Sequence, residues 1–377
     1  MINANCVARA GAALLATVSF GAFALPAVAA GTDGAASVSG TTVHFRAGTK
    51  VVNRVVITRK GKVVTVDDRV KVKAGKGCKA VKGDKTKVRC TVKNGPKRVT
   101  VRLYDSNDSV VNNAALPMSA EGGSGNDRLV GGSRNDTLFG MSGADKLYGL
   151  GGNDKLDADT GNDMLSGGDG NDMLAGWAGR DILYGGKGDD SLEGLDGDDK
   201  LYGGNGTDGL SGGKGRDHLD GGAGNDTMGG DESGPFVADV LLGGSGIDAV
   251  SYFDRTAGVT VDADGATGDD GQAGEHDTVG ADIETIIGGR GKDRLTGNNG
   301  PGQLQGYAGD DVLHGGGGDD LVEGGEGRDQ LYGDAGDDLL FGWEEKTAAD
   351  TLDGGANAAT GDECHAYSPD TSTNCER

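Results

Sequence analysis

The sequence predicts an all-β protein, a solenoid of nine-residue repeats behind a small antiparallel β-sandwich. Three observations predict it. A Gly- and Asp-rich nonapeptide recurs through the C-terminal two thirds of the chain. Short Val-rich runs that alternate apolar and basic residues precede it. Gly supplies 75 of the 377 residues while apolar residues supply only 35%, too few for an ordinary enzyme core. Collagen is excluded, because there is no Gly-X-Y period and only 6 Pro are present.

The net charge of −23 conceals a division. From Thr41 to Leu103, Lys and Arg outnumber Asp and Glu by 19 to 3; from Tyr104 onward the acidic residues lead by 55 to 16. Two regions of opposite sign imply at least two domains. The acidic majority argues against nucleic acid and for a cation as partner.

Residues 1–30 read as a cleaved secretory signal peptide. Arg9 precedes an apolar, Ala-rich run that ends in Pro26-Ala27-Val28-Ala29-Ala30, a small-residue cleavage pattern. No later segment could span a bilayer, so the mature chain is expected to be secreted, extracellular or held at the cell surface. Four cysteines then remain, Cys78, Cys90, Cys364 and Cys375. Four allow three pairings. Sequence proximity and an exported context favour Cys78–Cys90 and Cys364–Cys375.

Residues 31–117 form the basic β-sandwich. Val99, Val101 and Leu103 alternate with Arg98, Thr100, Arg102 and Tyr104, as Val88, Cys90 and Val92 do with Lys87, Arg89, Thr91 and Lys93. Asn94-Gly95 between these two runs signals a hairpin. Gly61 should turn the chain between two earlier strand-like runs, Val51–Thr58 and Lys62–Val66. The outward Lys and Arg suit an anionic polymer such as a cell-wall ligand, or form a solvated face offsetting the acidic half. No aromatic platform is interleaved, which weakens a nucleic-acid reading.

The repeat opens at Gly122-Gly123-Ser124-Gly125-Asn126-Asp127-Arg128-Leu129-Val130, the pattern G-G-x-G-x-D-x-L-x. Asp recurs every nine residues at Asp127, Asp136, Asp145, Asp154, Asp163, Asp172, Asp181, Asp190, Asp199, Asp208, Asp217 and Asp226, with Leu or Met two residues on. Gly at positions one, two and four permits positive φ and tight turns with bare carbonyls. Asp at position six adds a hard anionic oxygen. The triplet around Leu makes one short strand with Leu inward, so nine residues make half a coil and eighteen a whole one. One Leu per nine residues buries little apolar surface against the cost of ordering a Gly-rich chain. Bridging divalent cations would make up the difference. Oxygen ligands without a Cys/His cluster select Ca2+ over zinc or copper.

These residues resemble the RTX, or hemolysin-type, calcium-binding repeat family over about 230 of the 377 residues. The resemblance implies a parallel β-roll in which backbone carbonyls and Asp carboxylates of neighbouring turns hold multiple Ca2+ ions. That ligand role carries over to the twelve Asp residues above and to Asp239, Asp248, Asp293, Asp311, Asp320, Asp329 and Asp338. Gly302 stands at an Asp position, Arg134 at a Gly position, and Asp350 follows an insertion, so their turns are in doubt.

The roll divides into a first block, 118–248, a β-rich insertion, 249–287, and a second block, 288–353, followed by a disulfide-closed tail, 354–377. The insertion should hold strands at Gly258–Val261 and Asp282–Ile287 around an acidic loop in which Asp262, Asp264, Asp269 and Asp270 cluster. Tyr148, Tyr184 and Tyr202 share position nine and form a possible ligand face. A G-x-S-x-G match at Gly209–Gly213 lies across a repeat boundary without a strand-to-helix context, and no catalytic constellation is found. The expected function is therefore non-enzymatic: a secreted calcium-binding protein that folds on Ca2+ uptake, in a structural or adhesive role. The alternatives are a secreted hydrolase or toxin with a β-roll tail, and a calcium- and salt-dependent self-assembling matrix protein.

Overall fold

The computed structural model describes residues 31–230, 237–342, 348–357, 361–367 and 369–375. The expected signal peptide lies outside the described residues. Among the described residues every regular element is a β-strand. The chain divides into two compact units, Met1–Met173 and Leu174–Arg377.

In the first unit two walls of short parallel strands face each other. Strands Met118–Ser124, Thr137–Ser142 and Lys155–Thr160 build one wall, and Arg128–Gly132, Lys146–Gly151 and Met164–Asp169 the other. The pairing register within a wall is eighteen residues, so Leu138 meets Leu156 while Leu129 meets Leu147 and Leu147 meets Leu165. All five are fully buried between the walls. The spacing thus puts one apolar side chain inward per half-coil.

The basic strands do not close off as a body separate from these walls. Thr42–Arg46 pairs parallel with Arg98–Asp105, which pairs parallel with Met118–Ser124. Arg54–Lys60 pairs parallel with Ser109–Asn113, which pairs with Arg128–Gly132. Both walls therefore run across the boundary expected at residue 117. The antiparallel part lies at the outer end: Gly34–Ser39 folds back on Thr42–Arg46, and Arg54–Lys60, Val63–Asp67, Asp84–Thr91 and Cys78–Val81 lie side by side antiparallel, the first two and the last two as hairpins.

Gly61 turns as expected, at φ 61°. The hairpin expected around Asn94-Gly95 does not form. A turn is present, with the Gly95 N–H donating to the Val92 carbonyl at 3.0 Å. The chain leaving it, however, crosses from one wall to the other, so Asp84–Thr91 and Arg98–Asp105 lie in different sheets. Both runs bury a Val face, and two such faces are satisfied by meeting across a core rather than side by side in one sheet. The disulfides are Cys78–Cys90 and Cys364–Cys375.

The second unit has the same architecture, beginning with Ile182–Lys187 and Ser191–Asp196. The insertion at 249–287 exchanges one wall. The wall carrying Ala249–Ser251 runs on through Thr285–Ile287 to Gln303–Ala308, keeping Val250, Ile286 and Leu304 in one buried column. The wall opposite ends at Thr278–Val279, paired with Val240–Ser245. A new wall starts at Val259–Asp262 and continues through Arg294–Thr296 and Val312–His314, stacking Val261 on Leu295 and Leu313. Both strands expected in the insertion thus exist, each joined to a different wall.

Candidate metal-binding ladder

The three repeat glycines do different work. At position four, φ lies in the left-handed region, and coils stack so closely that a methyl group on Gly197 (φ 154°) would sit 1.4 Å from the Gly179 carbonyl oxygen. Position two also takes positive φ but tolerates side chains, such as Leu150 and Trp177. At position one the requirement is space: a methyl on Gly122 would lie 2.5 Å from Asp127 Oδ2 and 2.8 Å from the Gly140 carbonyl oxygen of the next coil. The expectation that all three positions serve positive φ is corrected to that extent.

Each position-six Asp is buried, between 0% and 4% exposed across the nineteen positions drawn from the sequence. Its Oδ1 accepts the backbone N–H of the Asp one coil earlier. In the first unit Asp127 N–H reaches Asp145 Oδ1 at 2.7 Å, Asp136 reaches Asp154 at 2.6 Å, Asp145 reaches Asp163 at 2.6 Å and Asp154 reaches Asp172 at 2.7 Å. In the second unit Asp181 to Asp199, Asp190 to Asp208, Asp199 to Asp217 and Asp208 to Asp226 repeat the bond at 2.7–2.8 Å. The insertions do not break it: Asp217 N–H reaches Asp239 Oδ1, and Asp226 reaches Asp248, both at 2.8 Å.

The other oxygen is left over. Oδ2 of Asp127, Asp136, Asp145, Asp154, Asp199, Asp208, Asp226, Asp248, Asp311, Asp320, Asp329 and Asp338 is buried without a hydrogen-bond partner. A buried orphan carboxylate oxygen is costly. Burial pushes these carboxyls up, to about 7 at Asp127 and Asp199 and about 8 at Asp154 and Asp311, against the opposing backbone N–H bond and with help from neighbouring Asp charges. These orphan oxygens look into the space kept open by the position-one Gly, most of them beside a carbonyl of the next coil; at Gly203 the pair is Asp208 Oδ2 and the Gly221 carbonyl, each 2.6 Å from a methyl placed there. Hard oxygens converging on a cradle too small for a side chain fit a divalent cation of calcium's chemistry.

Asp293 departs from this pattern. Its Oδ1 accepts from Val259 N–H at 2.9 Å and its Oδ2 from Gly289 N–H at 2.7 Å, so backbone donors take both oxygens. At Gly302 the missing carboxyl leaves the ladder intact on one side, since its N–H still donates to Asp320 Oδ1 at 2.7 Å.

Asp350, in doubt from its insertion, is a rung, accepting from Asp329 at 2.9 Å. Other rungs were missed by the sequence reading: Asp277 accepts from Asp239 at 2.9 Å, Glu284 from Asp248 at 2.8 Å, Asp362 from Asp338 at 2.9 Å and Asp370 from Asp350 at 3.0 Å. Asp108 is the corresponding rung near the N-terminus, donating its N–H to Asp127 Oδ1 at 2.7 Å. The legible signal was a bare Asp-x-apolar triplet, as in Asp108-Ser109-Val110 and Asp277-Thr278-Val279, outside the nine-residue register.

Tyr184 and Tyr202 stack, centroids 5.1 Å apart and planes 11° from parallel. Tyr148 lies under the Arg128 guanidinium at 4.9 Å. Asp262, Asp264 and Asp269 bring carboxylate oxygens within 4.8 Å of one another near the surface. Asp270 is buried instead, accepting the N–H groups of Asp262 and Val279 at 2.7 and 2.8 Å. Arg54, Arg59, Lys60, Lys79, Lys85 and Arg89 project outward from the hairpin wall.

A family model of the RTX calcium-binding nonapeptide repeat, four copies long, matches residues 121–156, 148–183, 157–192, 178–210, 210–233, 278–300, 302–331 and 320–344. No curated protein matches the chain.

Proposed function

The chain is an RTX-type β-roll repeat protein, and on that premise we propose that it is a secreted calcium-binding protein, without catalytic activity, whose repeats fold as they take up Ca2+. The carrying observation is the row of orphan Oδ2 atoms set in glycine cradles, most of them beside a next-coil carbonyl. The Asp carboxylates and the position-one Gly carbonyls would hold the ions. Calcium supplies the positive charge that lets buried carboxylates of successive coils coexist. Without it the same carboxylates oppose stacking, so export from a calcium-poor to a calcium-rich medium would trigger folding. Circular dichroism of the mature chain during calcium titration tests this: a cooperative gain of β signal is expected, and an unchanged spectrum in excess EDTA overturns it.

The N-terminal apolar run and two disulfides support export to an oxidising compartment. The mass of the exported chain checks it, with cleavage after Ala30 expected. The outward cations of the hairpin wall support a role in holding the protein to an anionic polymer at the cell surface. Retention on an acidic polysaccharide column that weakens with salt is the expected result.

A further inference from the structure

The second unit carries a groove that the calcium ladder does not use. It has a volume of about 480 Å3 and lies on the outside of the roll, lined by Phe253, Arg290, Gln305, Tyr307, Glu323 and Glu326 among others. Its floor is two adjacent strands, in which Gln305 stands opposite Glu323 and Tyr307 opposite Gly325. The Gln305 side-chain amide donates to Glu323 Oε2 at 3.3 Å. Its aromatic wall is Phe253 against Tyr307, centroids 4.7 Å apart at 70°. Arg290 brings its guanidinium to 6.0 Å from the Phe253 ring centre.

Two features set the groove apart from ordinary roll surface. Tyr307 occupies position two at φ 72°, where the commonest repeat residue is Gly, so a large ring is displayed at a backbone cost. Its cross-strand neighbour is bare, since a methyl on Gly325 would lie 2.2 Å from the Tyr307 carbonyl oxygen, and this keeps the ring face open. Phe253, which comes from the insertion, remains 37% exposed.

We propose that this groove binds a neutral saccharide. Two aromatic rings supply an apolar platform, which is how small-molecule sites gain contact area. Around it stand a donor-only guanidinium, acceptor-only carboxylates and an amide that does both. A ligand meeting that set must present donors and acceptors around an apolar face, and the hydroxyl-bearing ring of a sugar does so. Glu323 and Glu326 oppose an anionic ligand. Arg290 already holds the cation position over Phe253, which opposes a cationic one. Burial pushes the Glu323 carboxyl up, consistent with a carboxyl set in the floor rather than on open surface.

The test uses the full mature chain in calcium and saturation-transfer NMR. Methyl β-D-glucopyranoside and N,N′-diacetylchitobiose are the neutral probes, with glucuronate and choline as charged ones. Saturation of neutral ring protons is expected, weakened about tenfold by Tyr307→Gly or Phe253→Ser and unchanged by Tyr332→Ser. Tyr307→Gly restores the usual repeat residue, so its coil should keep the parent β signal; Glu323→Gln, of equal size, should also weaken binding. The proposal is overturned if neither neutral probe saturates, if only choline or glucuronate does, or if neutral-probe binding survives both aromatic substitutions.

Discussion

Within the first unit, the basic strands and the repeats are built on the same two walls yet held together differently. Near the N-terminus the core is dense in branched and aromatic residues: Val43, Phe45, Val55, Ile57, Val64, Val66, Val88 and Val99 are all fully buried. In the repeats one Leu per half-coil takes their place, and a buried carboxyl joins it. The ladder meets the two regimes at Asp108. There Asn53 donates its backbone N–H to Oδ1 at 2.7 Å and its side-chain amide to Oδ2 at 3.1 Å. A protein donor thus satisfies the oxygen that the repeats leave for a cation. The lesson is that the walls are indifferent to what lies between them, provided the buried oxygens find positive partners.

Chelation should break this comparison most strongly. In excess EDTA at pH 8, hydrogen exchange is expected to lose protection across the repeat amides while amides of residues 43–103 stay protected. Equal loss in both regions would mean that they do not differ in what holds them.

pH sharpens the same contrast. Burial raises the metal-free folded values of the repeat carboxyls Asp145, Asp154 and Asp311 from the ordinary 3.8 to about 6, 8 and 8. The folded chain therefore binds protons that the unfolded chain has released. Calcium-free stability is fully present below about pH 4 and is lost as pH rises through about 6 to 8. Calcium needs the ionised form, so its affinity should climb over that window. Thermal melts with and without EDTA at pH 5 and 8 are expected to diverge most at pH 8.

Single substitutions give smaller effects. Leu201→Ala, at a site fully buried between Leu183 and Leu219, should cost about 2–5 kcal/mol in saturating calcium, measured by denaturant melts. Asp208→Asn keeps an acceptor for Asp190 N–H but loses the anionic oxygen. It should remove about 2.7 kcal/mol of the stability gained from calcium held about a hundredfold above the site's Kd. Asn53→Ala should cost about 1–3 kcal/mol with or without calcium, because its partners are protein atoms.

The period made much of this legible. Asp at position six and Leu two residues later fix which side chain turns inward and which oxygen enters the turn, because stacked coils repeat the local geometry. Where the register slips, the sequence lost the thread. Asp277, Glu284, Asp350 and Asp362 are rungs because of where their coils land, after loops whose lengths carry no period. The Asn94-Gly95 turn was correctly placed but its exit was not, since a turn motif states a local bend and not which wall receives the next strand.

The sequence by itself determined that the chain coils, how many residues each half-coil takes, and which carboxylates and apolar residues lie inside wherever the nine-residue register holds, since these follow from spacing. The tertiary structure alone decided three further things. It joined the basic strands to the walls of the roll, it let the insertion end one wall and begin another, and it gathered Phe253, Arg290, Tyr307 and Glu323 around one groove. Each depends on pairing between segments far apart in the chain, and strand pairing is chosen by competing buried faces and backbone donors that no local pattern encodes.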